Sequence, residues 1–286
     1  MNINYINKKP FVEGVCLNNI TNSHSTPFYL YSQKKISETF ENLKFNLCSE
    51  IFYAVKANSN QAILTLFKNM GAGADVVSVG ELNRALKAKF KPDKIIFEGV
   101  GKSKEDIEFA IKKNIRLINT ESKNEIKLIN AISKNLNKKI NIGIRLNPDT
   151  DAKTLKKIST GKKENKFGLT EKKFLEVLKK YKNSKYINII CLSVHIGSQI
   201  TSHIPYKNML NVVNKIIQKS KFKFKYIDLG GGMGIQYENK FKKLNYSKYN
   251  KLIESFLIKN NSNIIFEPGR SIVGNAGYLI SKIIYI

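Results

Sequence analysis

Lys56 closes the run Ile51-Phe52-Tyr53-Ala54-Val55 and is followed at once by Ala57-Asn58. A single amine at the end of an apolar segment either reaches solvent along its stem or sits at a pocket mouth. There, partial desolvation lowers its pKa and leaves it nucleophilic, which is the requirement for Schiff-base chemistry. Three further clusters could serve that chemistry. Gly230-Gly231-Gly232 and Gly234 follow a short apolar run, and glycine alone lets backbone amides turn tightly and approach an anion such as phosphate. His195 ends a second run beside Gly197, where a flat ring can stack on a flat ligand. Glu267 closes a third and precedes Pro268-Gly269-Arg270. An ion pair of Glu267 with Arg270 is one use of that sequence. The other sets the carboxylate against a cofactor's ring nitrogen while Arg270 faces an anionic substrate.

Positioning these groups together requires a scaffold that brings strand ends to one face. Between Ile51 and Gly269, short β-rich runs alternate with stretches of helical period, the pattern of a parallel sheet with crossover helices. The expected strands are 51–55, 75–78, 94–97, 116–119, 140–146, 189–196, 226–229 and 263–266. Eight is the number that closes a (β/α) barrel, whose chemistry lies where strands end and βα loops begin. Lys56, Asp75 with Ser78, Arg145, His195, Asp228 and Glu267 all fall at those positions. Helices are legible between the strands. Ser103 is the expected N-cap for a helix with Ile107, Ala110 and Ile111 on one face, and 171–181 repeats the device with Phe174, Leu175 and Leu178 inward. The stretch 147–168 has no period and is expected to be a long functional loop. At either flank, 27–31 and 277–286 read as strands outside the barrel.

Composition excludes several classes. The formal charge of +27 suggests polyanion binding, but the lysines are scattered over the expected helices and loops without a recognition motif, so no specific nucleic-acid partner is expected. No apolar run approaches the roughly 20 residues of a membrane span, and the N-terminus has no secretory signal pattern; a cytoplasmic protein is the expectation. Cys16, Cys48 and Cys191 have no C-x-x-C spacing, and His195 has no His or Cys partner at ligand spacing, so neither a disulfide framework nor a metal site is expected. His24 and His203 lie in polar segments and are expected to be solvated. Gly71-Ala-Gly73 lacks the third glycine of a dinucleotide fingerprint.

Six segments in order carry a resemblance: Tyr53-Ala-Val-Lys-Ala-Asn58, Gly71 to Leu82, Ile158-Ser-Thr-Gly161 with Glu164-Asn-Lys-Phe-Gly168, His195-Ile-Gly-Ser-Gln-Ile200, Asp228-Leu-Gly-Gly-Gly232 and Glu267-Pro-Gly-Arg270. Together they resemble the fold-type III pyridoxal-phosphate decarboxylases, whose barrel is of the alanine racemase-like kind, and within them the diaminopimelate decarboxylase family more than the ornithine enzymes. The resemblance implies pyridoxal 5'-phosphate bound through Lys56, with His195 stacked on its ring and Glu267 at its ring nitrogen. It implies Ser198, Gly231, Gly232, Pro268, Gly269 and Arg270 around the cofactor, chiefly its phosphate, and Asp75 supporting Lys56. It also gives Arg270 a second role at a substrate carboxylate.

The implied reaction is decarboxylation of meso-2,6-diaminopimelate to L-lysine. The alternatives are decarboxylation of ornithine, arginine or carboxynorspermidine, or an inactive barrel fragment. By the same comparison the expected organisation is an N-terminal segment 1–31 with a strand joining a β domain, a barrel over 32–275, and the start of that β domain at 276–286. Family members continue into this domain, which carries a Cys-Glu-Ser motif and a Tyr, and the Cys reaches the partner's site in a homodimer. Cys191 cannot be transferred to that role. Leu155 stands where the family usually has His.

Overall fold

The computed structural model describes residues 3–47, 49–238 and 242–286; Cys48 lies outside them. Its centre is a closed barrel of eight parallel strands. They are β5 (Glu50–Ala54), β6 (Gly73–Val76), β7 (Ile95–Phe97), β8 (Leu117–Thr120), β9 (Ile140–Leu146), β10 (Ile187–Val194), β11 (Tyr226–Asp228) and β12 (Asn263–Phe266). Neighbours in sequence are neighbours in space, and Ile265 and Phe266 of β12 close the ring on Glu50 and Ile51 of β5. This is the eight-unit (β/α) barrel expected from the strand count.

Each barrel strand leads to a helix: α3 (Gln61–Asn69), α4 (Val79–Lys87), α5 (Lys104–Lys112), α6 (Lys123–Asn135), α7 (Glu171–Tyr181), α8 (Ile204–Ser220), α9 (Tyr246–Lys259) and the short α10 (Arg270–Val273). Their starts follow local chemistry. Ser103 accepts from Asp106 N while Asp106 accepts from Ser103 N, a reciprocal capping box that begins α5. Ser78 accepts from Glu81 N at 3.2 Å and caps α4, so β6 ends at Val76 rather than running to Ser78. In α7 the inward face is Phe174, Val177, Leu178 and Tyr181, whereas Leu175 is only half-buried, because the helical repeat carries it to the flank.

The barrel interior is apolar at its base and polar at its mouth. Phe52, Ile96, Leu117, Cys191, Tyr226 and Ile265 pack as one buried cluster from six strands. Below them the Arg116 guanidinium lies 5.0 Å from the Phe52 ring and 5.3 Å from that of Tyr226, and its Nη1 donates to both oxygens of Glu50. The base is therefore plugged by a cation that aromatic faces and a carboxylate both stabilise. Nearer the mouth the buried positions become Asp75, Asn119, Ser193 and Asp228.

Outside the barrel, β4 (Phe28–Tyr31) pairs antiparallel with β13 (Gly277–Ile280). The C-terminal strand is shorter than the apolar run suggested: residues 281–286 are exposed and carry no strand, because β4 offers pairing positions only as far as Phe28, opposite Ile280. Three short strands, β1 (Asn4–Ile6), β2 (Lys9–Val12) and β3 (Val15–Cys16), form an antiparallel sheet ahead of α1 (Leu17–Ser23), none of which the pattern of residues predicted. Helix α2 (Gln33–Leu47) then buries Ile36, Phe40, Leu43 and Leu47. Cys16 and Cys191 are free thiols. Among the described residues no helix is long and apolar enough to cross a membrane.

Candidate active site

A cavity of about 930 Å³ opens at the C-terminal mouth of the barrel strands. Of the residues expected in a site, Lys56, His195, Ser198, Gly231, Gly232, Glu267, Gly269 and Arg270 form its wall. Two do not. Asp75 is fully buried behind Lys56, and Pro268 is buried with its carbonyl accepting from Ala54 N at 3.1 Å, which ties the end of β12 to that of β5.

Lys56 does not stand on the strand itself. After Ala54 the chain turns through a single 3-10 turn, Val55–Ala57, which lifts the side chain into the cavity, where half of it (51%) is open. Its Nζ donates to Asp75 Oδ2 at 2.8 Å. Burial works to lower the Lys56 pKa, as expected, but Asp75, Glu267 and Glu98 outweigh it and hold the amine above its usual value. Desolvation, which the sequence suggested would lower the pKa, is therefore outweighed by the surrounding carboxylates, and Asp75, the base in contact with Lys56, is the group that can take its proton. Burial in turn pushes the Asp75 carboxyl up, with Lys56 acting in the opposite sense.

His195 follows β10. Burial, then Arg145 and Lys56, push its pKa well below the usual imidazole range, so the ring is neutral. Its Nδ1 accepts from Gly231 N at 3.3 Å. The ring lies so close to Gly230 that a Cβ there would stand 2.4 Å from Nδ1. Gly232 has φ +85°, and a Cβ would meet Gly197 O at 2.3 Å, which accounts for glycine at this turn.

The long 147–168 loop braces the His195–Ser198 segment from the side. Thr160 Oγ1 donates to His195 O at 3.0 Å, Ser198 N donates to Ile158 O at 2.9 Å, and Thr154 Oγ1 donates to Ser198 O at 2.9 Å. Leu155 takes no part and is 73% exposed. His24 is exposed as expected, and His203, half-buried, precedes α8.

Glu267 immediately follows β12 and does not pair with Arg270. The Arg270 Nη1 donates instead to Tyr237 Oη at 2.6 Å, which holds the guanidinium at the rim. Glu267 is 7% exposed, and its Oε1 has no hydrogen-bond partner. Burial and the neighbouring Asp228, Asp75 and Glu98 raise its pKa far above the carboxylate range. Glu98, Asp228 and Glu267 place one oxygen each within 4.8 Å of one another. The sequence pattern did not foretell this grouping, because its members are far apart in the chain and none is a His or Cys at ligand spacing.

Arg145, which the sequence placed at a strand end of the mouth, Thr160 and Phe167, which lie in the resembling segments, and Glu98, which the sequence did not single out, also line the cavity. Arg145 bonds Glu121 at 2.6 Å and lies 4.9 Å over the Phe167 ring. Glu98 carries the same signal as Lys56, because it immediately follows strand β7.

A (β/α)8 barrel with a lysine, a neutral imidazole, a glycine cradle and a buried carboxyl converging on one mouth defines a site suited to pyridoxal phosphate. The fit rests on three observations: an amine open to the cavity, an unpaired buried oxygen of Glu267 for a ring N–H, and turns that tolerate no Cβ where a phosphate would be cradled. Residues 33–274 match the pyridoxal-binding domain of the pyridoxal-dependent decarboxylases, and the chain belongs to that family.

Among its relatives is the diaminopimelate decarboxylase of Helicobacter pylori (strain J99), 45% identical over 269 residues that cover 92% of this chain and 66% of the relative. The chain thus spans just under two thirds of that relative's length. The Aquifex aeolicus diaminopimelate decarboxylase is 38% identical, with 99% of this chain and 69% of the relative covered. In structure, the Helicobacter pylori enzyme complexed with L-lysine superposes with a TM-score of 0.91 at 43% identity, covering 94% of this chain and 70% of that one.

Proposed function

We propose that this chain is the cofactor-holding barrel of a diaminopimelate decarboxylase, which converts meso-2,6-diaminopimelate and a proton to L-lysine and carbon dioxide. The observation that carries the reading is Lys56 and Glu267 on one cavity wall, the amine half open and the carboxyl with an unpaired oxygen. Relatives solved with L-lysine, from Helicobacter pylori and M. jannaschii, support the substrate class.

When bound, pyridoxal phosphate supplies an electron sink for the pair left behind as carbon dioxide departs. Lys56 would bind it covalently, with Asp75 taking and returning the amine's proton across 2.8 Å. His195, neutral and braced by Thr160, would hold the ring face without adding a charge. Glu267 would keep a proton at the ring nitrogen. The glycine turn, Ser198, Gly269 and Arg270 would hold the phosphate, and Arg270, steadied by Tyr237, would also meet the substrate carboxylate.

Domain organisation and assembly belong to the same proposal. The barrel spans 32–275, the flanks 1–31 and 276–286 serve one β unit, and two copies share each site in the cytoplasm. The pairing of β4 with β13 supports a common unit for the flanks.

The test is twofold. The purified chain loaded with pyridoxal phosphate is expected to show a protein-bound visible absorption band that disappears in Lys56→Ala; persistence of the band removes Lys56 from its role. Incubation of the full chain with meso-diaminopimelate is expected to yield lysine, and turnover of ornithine, arginine or carboxynorspermidine in its place overturns the substrate assignment. Sedimentation of the full chain as a monomer overturns the dimer.

A further inference from the structure

The floor of the cavity holds more acid than its cations can balance. Lys56 is engaged with Asp75 at 2.8 Å and Arg145 with Glu121 at 2.6 Å. That leaves Glu98, Asp228 and Glu267, each less than a tenth exposed, with oxygens within 4.8 Å of one another. Asp228 and Glu267 stand close enough that two ionised carboxylates there would repel each other strongly, and burial together with that repulsion pushes both carboxyls well above their ordinary range. Asn119 Nδ2 donates to Asp228 Oδ2 at 3.0 Å and also to Glu98, bridging these two acids. A divalent cation at this point would have to displace that amide from both acids. An independent feature points to a ligand: Glu267, on the cavity wall, has its Oε1 buried without a hydrogen-bond partner.

We propose that Glu98 and Asp228 are positioning residues that act through Glu267, their acidic side chains, grouped with it and bridged by Asn119, favouring a protonated ring nitrogen in bound pyridoxal phosphate. The proposal rests on the reading of Glu267 as that nitrogen's partner. With pyridoxal phosphate bound, Glu267 would give its proton to the ring nitrogen and stay beside it as a carboxylate, in the field of Asp228 and Glu98.

The groups facing Glu267 are Asp228 on β11, Asp75 on β6, Glu98 after β7, Lys56 after β5, Arg145 on β9 and Cys191 on β10. Lys56 and Arg145 oppose protonation of the nitrogen. The acids grouped around Glu267 favour it, because a nearby negative charge stabilises a cation in a site sheltered from water.

The experiment uses pyridoxal 5'-phosphate labelled with ¹⁵N in the ring and follows its chemical shift against pH in wild type, Glu98→Gln, Glu98→Asp and Asp228→Asn. The wild-type nitrogen is expected to stay protonated to about pH 9, with the transition at least about one pH unit lower in Glu98→Gln and Asp228→Asn and restored by Glu98→Asp. Loaded variants that titrate with wild type overturn the proposal, as does Glu98→Asp behaving like Glu98→Gln. Asp228→Asn reads the same quantity from another strand, so misfolding of one variant leaves the test intact. A wild-type chain that takes up no label, checked by borohydride reduction and mass analysis at Lys56, overturns the cofactor reading and this proposal with it.

Discussion

Lys56 Nζ lies 2.8 Å from Asp75 Oδ2, while the other oxygen of Asp75 is buried without a hydrogen-bond partner. The pair joins the end of β5 to β6 and stores a proton on the amine. Asp75→Asn removes the nearest of the charges that raise the Lys56 pKa while leaving the burial that lowers it, so the amine is expected to titrate at lower pH than in wild type. ¹³C NMR of the Lys56 Cε against pH measures this, and an unchanged midpoint would show that Asp75 does not control the amine.

His195 should be neutral throughout the physiological range. Its folded pKa is depressed, so the unfolded chain binds a proton that the native chain refuses, and this group's contribution to stability is lost as pH falls below the ordinary imidazole value of about 6.5. His195→Gln should therefore lose less stability than wild type between about pH 7 and pH 5 in denaturant titrations. A protonated ring at pH 7, seen by NMR, contradicts the assignment.

Asp228 gives the opposite slope. Burial, with Glu98 and Asp75 adding to it, raises its folded pKa, so the native chain keeps a proton that the unfolded chain releases above the ordinary carboxyl range. The stability contribution then falls with rising pH by about 1.4 kcal/mol per unit for each retained proton, until the folded pKa is reached. Asp228→Asn should flatten the dependence between about pH 5 and pH 8 in urea titrations of the chain without cofactor. Parallel curves for the two proteins would mean that Asp228 holds no proton.

Gly232→Ala asks for a Cβ 2.3 Å from Gly197 O at φ +85°. Left-handed strain alone costs about 1–2 kcal/mol, and the clash moves the turn that would cradle the phosphate. Pyridoxal-phosphate affinity should fall at least about tenfold by fluorescence titration, more than affinity for pyridoxal without its phosphate. Equal losses for both ligands would place the phosphate elsewhere.

Arg116→Met at the barrel base separates stability from function. It leaves Glu50 without its guanidinium partner and removes the cation between Phe52 and Tyr226, at a cost of about 2 kcal/mol. The melting temperature should drop while cofactor affinity stays unchanged, because the plug lies at the end of the barrel away from the cavity.

The order of residues along the chain was enough to establish the barrel and the face that carries its chemistry. Strand and helix periods are local properties, and a parallel barrel sends every strand end to one mouth, so Lys56, His195 and Glu267 could be brought together without any knowledge of distance. Ser103 as a cap was legible for the same local reason. The small sheet of β1–β3 was not, because its strands are too short for a period to show. The protonation of Lys56, the release of Glu267 from Arg270 and the meeting of Glu98 with Asp228 and Glu267 emerged only with the folded arrangement. Charge balance inside a barrel depends on which acids face which cations across it, and residues 98, 119, 228 and 267 become neighbours only when β5 closes on β12.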